Sequence, residues 1–250
     1  MDVEINGARI LATIENVPLL GTVQITQTVA AALLVMAIIT GLCWWLGKDL
    51  KVTGISRKQA VAEMAYTALV NFVQGNMGPE FDHYIPLVGT IFISSIISNL
   101  ISLLGIWSPT ADLMTELAWG LVVFVLITYH KIKGNGIGGY LKSYTEPIFL
   151  MTPFNILGEV FTPVSMAFRH FGNIVSGYII MSLIYAALVT VSSALFGLLP
   201  GVVGEVLGNI PILGVGIPAI ISLYFDWFGS FIQAFIFCML TMIFIATAED

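Results

Sequence analysis

Charge is scarce in this chain, and positive charge is scarcer still. Of its 250 residues only 10% are Asp, Glu, Lys or Arg, whereas 58% are hydrophobic; an ordinary soluble domain carries about 25% charged residues. Cysteine occurs twice, at Cys43 and Cys238, each inside an apolar run, where a thiol packs as a small hydrophobe rather than forming a disulfide or a metal site. No basic tract offers a face to nucleic acid. The histidines, His83, His130 and His170, are spread without metal spacing, and they form no nucleophile–His–acid set. Gly134-Asn-Gly-Ile-Gly-Gly139 reads as a flexible loop, since its glycines do not follow a strand as a nucleotide fingerprint requires. These absences argue against an enzyme and against any cofactor. The net charge of −6 says little about partners, because the acids are scattered over loops and termini. Met1-Asp-Val-Glu-Ile5 is acidic and lacks the basic start and short apolar core of a signal peptide.

What remains is a polytopic membrane protein, expected to be all-α. A helix needs about 20 apolar residues to cross roughly 30 Å of hydrocarbon, and residues 25–46, 84–104 and 113–129 each supply such a run. Residues 1–22 are polar enough for water or the interface. Trp44 and Trp45 close the first span, and Lys48, Lys51, Arg57 and Lys58 follow it. That places this end in the cytoplasm and the N-terminus outside. Lys131, Lys133 and Lys142 after the third span agree with that orientation. In residues 57–75, Ala60, Met64, Ala68 and Phe72 recur at helical spacing among polar neighbours, the pattern of an amphipathic helix on the membrane surface.

The last two crossings are longer. Residues 148–199 contain Pro153 and Pro163. A continuous helix from Val164 to Leu199 would be roughly 54 Å long at 1.5 Å per residue, so it is either steeply tilted or broken near Gly177. Pro200 to Asn209 supplies an outer turn, and residues 210–248 return the chain to a cytoplasmic Glu249-Asp250. The expected architecture is five crossings plus a surface helix, the last two crossings forming a long tilted hairpin in a single domain.

Arg169 is the only Lys or Arg after Lys142. A guanidinium cannot shed its proton, and at the centre of a membrane helix it costs roughly 2.5–3.5 kcal/mol on insertion scales. Such a residue marks an ion or substrate pathway by default. Ser165, Arg169, Asn173 and Ser176 fall at i, i+4, i+8 and i+11, a polar stripe along one helix. Ser222, Asp226, Ser230 and Gln233 repeat that spacing on the next. Facing stripes would line a hydrated cleft in which Asp226 exchanges protons and Gln233 bonds to Arg169. Alternatively, Arg169 and Asp226 form a buried salt bridge that only locks two helices, although such pairs stabilise weakly. Gly172, Gly177, Gly229 and Ala234 fit close helix packing. Asn99, with Ser95 and Ser98, adds polarity to the second span. His170 points about 100° from Arg169 on a helix, toward lipid or packing.

Phe168-Arg-His-Phe-Gly-Asn-Ile-Val-Ser-Gly177 resembles the arginine-bearing helix of the a subunit of F-type ATP synthases. Ile232-Gln-Ala-Phe-Ile-Phe237, Ser98-Asn-Leu100 and Pro109-Thr-Ala-Asp-Leu113 extend the likeness, in order, over about residues 84–245. The resemblance implies a non-catalytic stator subunit in the bacterial plasma membrane, held beside a rotating c-subunit ring by the b subunits of the peripheral stalk. Two offset half-channels would carry protons to and from the ring carboxylates. Arg169 matches the essential arginine, which favours the ionised ring carboxylate and bars direct leakage. Asn173 and Gln233 match polar residues flanking it, and Glu159 matches an acid near the inner access route. Relatives often place an acid or histidine where this chain has Tyr178, so the outer relay rests on Asp226, with Tyr178 at most a hydrogen-bonding neighbour. The ring's own sequence would decide between H⁺ and Na⁺. A secondary transporter with its own midplane site would instead show internal repeats, and none is evident.

Overall fold

The computed structural model describes residues 8–17, 21–197 and 212–248. Within them lie five helices long and apolar enough to cross a membrane. The chain is an all-α membrane protein with one exception. Part of the polar segment that precedes the first crossing forms an antiparallel hairpin, β1 (Ile10–Val17) and β2 (Gly21–Thr26), pairing Ile14 with Val23 and Thr13 with Gln24. Its β-branched residues suit a pleated ribbon.

The helix α1 (Gln27–Gly47) follows directly, and α2 (Arg57–Met77) begins at Ser56, whose Oγ accepts a hydrogen bond from the Gln59 N–H at 3.2 Å. A helix forms over the residues 57–75 expected to be helical, and α2 runs on to Met77. Its last turns enter the bundle, with Val73 and Met77 buried. A short 3-10 turn then leads into α3 (Ile85–Leu100). The fourth helix, α4 (Leu113–Ser143), starts at Asp112, whose Oδ1 accepts from the Met114 N–H at 3.0 Å; a carboxylate there also suits the positive end of the helix dipole.

In the second half of the chain one expectation is corrected and one alternative is decided. The glycine-rich 134–139 segment is no loop. It continues α4 with a single departure at Gly136 (φ 68°, ψ 167°), a conformation open to glycine alone. The long helix α5 (Thr152–Gly197) does not break near Gly177 and carries only Pro163 inside it. At 46 residues it is about 69 Å long, so tilt rather than interruption reconciles it with the bilayer. The last helix is α6 (Ile212–Ala246). The turn expected from Pro200 to Asn209 and the terminal Glu249-Asp250 lie outside the described residues, as do the side chains of Phe225 and Asp226.

The core sits where α2, α3, α4 and α6 converge, with Val73, Val88, Val123, Phe237 and Met242 almost wholly enclosed. Lipid tails are as apolar as these side chains, so packing and interhelical hydrogen bonds hold the bundle rather than water exclusion. Backbones approach most closely between α4 and α5. A Cβ on Gly120 would fall 2.9 Å from the Pro163 carbonyl oxygen. Further along, α5 and α6 run against each other, and that contact positions the polar stripes.

Candidate functional site

The stripes on α5 and α6 do face each other. Asn173 Nδ2 donates to Gln233 Oε1 at 2.7 Å, and Gln233 is buried. The structure thus gives Gln233 the neighbour one turn beyond Arg169 as its partner, in place of the expected bond to Arg169 itself. Ser176 Oγ donates back to the Asn173 carbonyl at 3.1 Å. Asp226 belongs to the same helix as Gln233, two turns earlier, but its side chain lies outside the described residues, so its pairing with Arg169 is not defined.

Two clefts meet this stripe at different levels. One, of about 390 Å³, touches α5 from Asn173 to Ile180 and includes Asn99, Ser108, Ser176, Tyr178, Ser230 and Gln233. Asn99 is buried. Its Oδ1 accepts from the Thr110 hydroxyl, while its Nδ2 has no partner among the described residues. Ser108 completes that small network by donating to the Ser98 carbonyl at 2.7 Å. Tyr178 is part-exposed and stacks on Trp107 with ring centroids 6.0 Å apart. The second cleft, of about 290 Å³, touches α5 from Gly158 to Arg169 and α6 at Leu240 and Phe244. Thr162, Ser165 and Arg169 are its polar lining. Arg169 is exposed on the protein surface, with no carboxylate within ion-pair distance among the described residues.

Glu159 lies beside the second cleft, next to Gly158. Its side chain is only 7% exposed and is held by Lys131 Nζ at 3.3 Å and by the Tyr140 hydroxyl at 3.1 Å. Tyr144 in turn donates to the Tyr140 oxygen at 2.5 Å. Burial, then the neighbouring Glu159 and Tyr140, push the Tyr144 phenol well above its ordinary value of 10.0.

One cluster escaped the sequence reading. His170 is fully buried, with Nδ1 3.1 Å from Glu116 Oε2 on α4 and Nε2 3.2 Å from Ser95 Oγ on α3. The expected lipid- or packing-side histidine is thus wholly a packing residue with polar partners. Glu116 is the sole charged residue in the 113–129 run, and that isolation was the signal available.

Fold and site together define a helical membrane protein with polar side chains paired across the seam of its last two helices. Comparison of sequences narrows the class. Residues 29–246 match the family described as ATP synthase A chain, and the chain belongs to that family, as a bacterial F-type ATP synthase a subunit. It is 31% identical to ATP synthase subunit a 2 of Acaryochloris marina (strain MBIC 11017), over 92% of this chain and 88% of that one. It is 30% identical to ATP synthase subunit a of Desulforamulus reducens, over 88% and 78%. A third relative, from Propionigenium modestum, is named ATP synthase subunit a, sodium ion specific; identity is 31%, over 88% and 73%.

Proposed function

We propose that this subunit conducts protons to and from a rotating c-subunit ring through two offset half-channels, with Arg169 as the gate between them. The observation that carries this reading is the position of Arg169. It ends the cleft that reaches α5 from Gly158 onward, and a separate cleft begins one turn later at Asn173. A permanent cation at that waist repels protons moving straight through. It also favours the ionised form of any carboxylate brought alongside by the ring, which releases the proton to the inner side. The orphaned Asn99 amide, Ser176, Tyr178 and the Asn173–Gln233 pair make the outer cleft polar, and Asp226 supplies its exchangeable proton. Glu159 serves the inner side.

On this reading the chain is a non-catalytic stator element in a bacterial plasma membrane. It works with the c ring, the peripheral-stalk b subunits and the remaining complex, its N-terminus outside and its C-terminus cytoplasmic. The basic residues after α1 and along the end of α4 support that orientation. A second reading keeps the geometry and changes the ion. The Propionigenium relative is named sodium ion specific, and the same clefts would serve Na⁺ if the ring selects it. Synthesis driven by an imposed Na⁺ gradient in the presence of a protonophore separates the two.

The decisive experiment is Arg169→Ala in the assembled complex. Coupled ATP synthesis in membrane vesicles should fall by more than about 100-fold, the scale of about 3 kcal/mol in a barrier, while the complex still assembles and hydrolyses ATP. Full synthesis in an assembled variant would overturn the gate.

A further inference from the structure

Consecutive residues of α5 meet opposite environments. Arg169 is exposed and lines a cleft; His170, about 100° round the helix, is fully buried. The His170 ring meets residues of three other helices, α3, α4 and α6. Glu116 approaches it from α4 and Ser95 from α3. Trp119 packs edge-on at 6.2 Å, and Phe237 of α6 lies at 5.6 Å.

A Ser–His–Glu set invites comparison with a hydrolase triad. With all three side chains buried, no substrate could reach the serine. The electrostatics point elsewhere. Neither Glu116 oxygen has a hydrogen bond in line among the described residues, and the Nδ1–Oε2 contact is an ion-pair approach at an angle. Glu116 therefore keeps unspent capacity to accept a charged donor. The strong donor nearest to the imidazole along the chain is the guanidinium one residue before it, which a bidentate carboxylate would hold firmly. Turning α5 by one residue would place Arg169 where His170 now sits.

We propose that His170 is a positioning residue: by occupying Glu116 it fixes the rotation of α5 and keeps the Arg169 guanidinium on the outer face. Ser95 fixes the second ring nitrogen, which prevents the imidazole from swinging off the carboxylate. The consequence for activity rests on the gating role proposed for Arg169; the rotational consequence does not.

The test reads α5 rotation directly. In the full complex, with Cys43→Ser removing the exposed native thiol, Ser165→Cys places a thiol on the exposed face one turn before Arg169. A water-soluble maleimide should label it readily. Adding His170→Leu should lower labelling at least fivefold, as Arg169 turns toward Glu116 and carries the introduced thiol with it. Adding Glu116→Gln to that variant removes the attracting charge and should restore labelling to within twofold of the parent. A purely structural histidine predicts the reverse, since a second core substitution would only deepen the damage. Unchanged labelling in His170→Leu overturns the proposal. So does failure of Glu116→Gln to restore labelling, or to restore membrane insertion where His170→Leu alone is not inserted. If labelling behaves as expected while Arg169→Ala retains coupled synthesis, the gate falls and the rotational lock stands.

Discussion

Helices α5 and α6 lie against each other, yet they are built to opposite ends. Past Ser230, α6 is framework: Ala234, Phe237, Cys238, Met242 and Ile245 are all at most 1% exposed, and Cys238 Sγ reaches the Val88 carbonyl of α3 at 3.7 Å. On α5, burial is confined to Pro163, Met166, Ala167, His170 and Ser192, while Phe161, Phe168, Leu183 and Val191 face outward. In water such a helix would be an aggregation hazard. In a bilayer outward leucines and phenylalanines cost nothing, so sequence apolarity says nothing about which face is in contact. The lesson is that α6 holds the protein together, and α5 spends its length on presentation. Substitutions on the two should separate amount of protein from activity.

Arg169→Ala, the largest effect, should remove activity without removing protein. Phe237→Ala should do the opposite. Emptying its place between Trp119, His170 and the α3 face should cost about 3 kcal/mol, the lower end of the range for buried phenylalanine, because lipid offers no extra transfer term. A drop in the thermal unfolding midpoint of the detergent-solubilised complex would show it, with activity per folded complex largely retained. An unchanged midpoint would erase the distinction between the helices. Gly120→Ala is intermediate. Its new methyl meets backbone at Pro163 rather than a yielding side chain, so α4 and α5 must part at a cost of about 1–3 kcal/mol, again read as thermal stability. The smallest effect belongs to the seam. A double-mutant cycle of Asn173→Ala and Gln233→Ala should give a coupling of about 0.6–1.7 kcal/mol, the range for interhelical hydrogen bonds in membranes. Zero coupling would mean the two stripes only happen to be adjacent.

What could be read ahead of the structure was whatever repeats along one segment. Apolar runs delimit the crossings because the bilayer imposes a length, and the spacing of Ser165, Arg169, Asn173 and Ser176 places them on one face because a helix has a fixed period. The resemblance carried by Phe168 to Gly177 supplied the family. Contacts between distant segments were not legible in the same way. The stripes suggest Arg169 as the partner of Gln233, whereas the partner is Asn173, four residues further along α5, and helix spacing does not distinguish the two. His170 could be placed off the Arg169 face, yet nothing local shows that Glu116 and Ser95, contributed by two other helices, converge on it. The hairpin near the N-terminus and the continuation of α4 through the glycines were missed for another reason. Polarity near the N-terminus does not announce the pairing of β1 with β2, and the glycines argue for a loop where a single left-handed residue at Gly136 lets α4 continue.

The uninterrupted length of α5 has a geometric consequence. A rod of about 69 Å set in a slab of about 40–45 Å, headgroups included, must recline by roughly 50° or more if the slab is to contain it. Most of any distance along its axis then becomes sideways distance in the plane of the membrane. Openings that differ only in their residue numbers on this rod accordingly stand apart laterally as well as in depth. On the function proposed here, an ion entering by one and departing by the other would have to be carried across, the motion that a turning ring of carriers would supply.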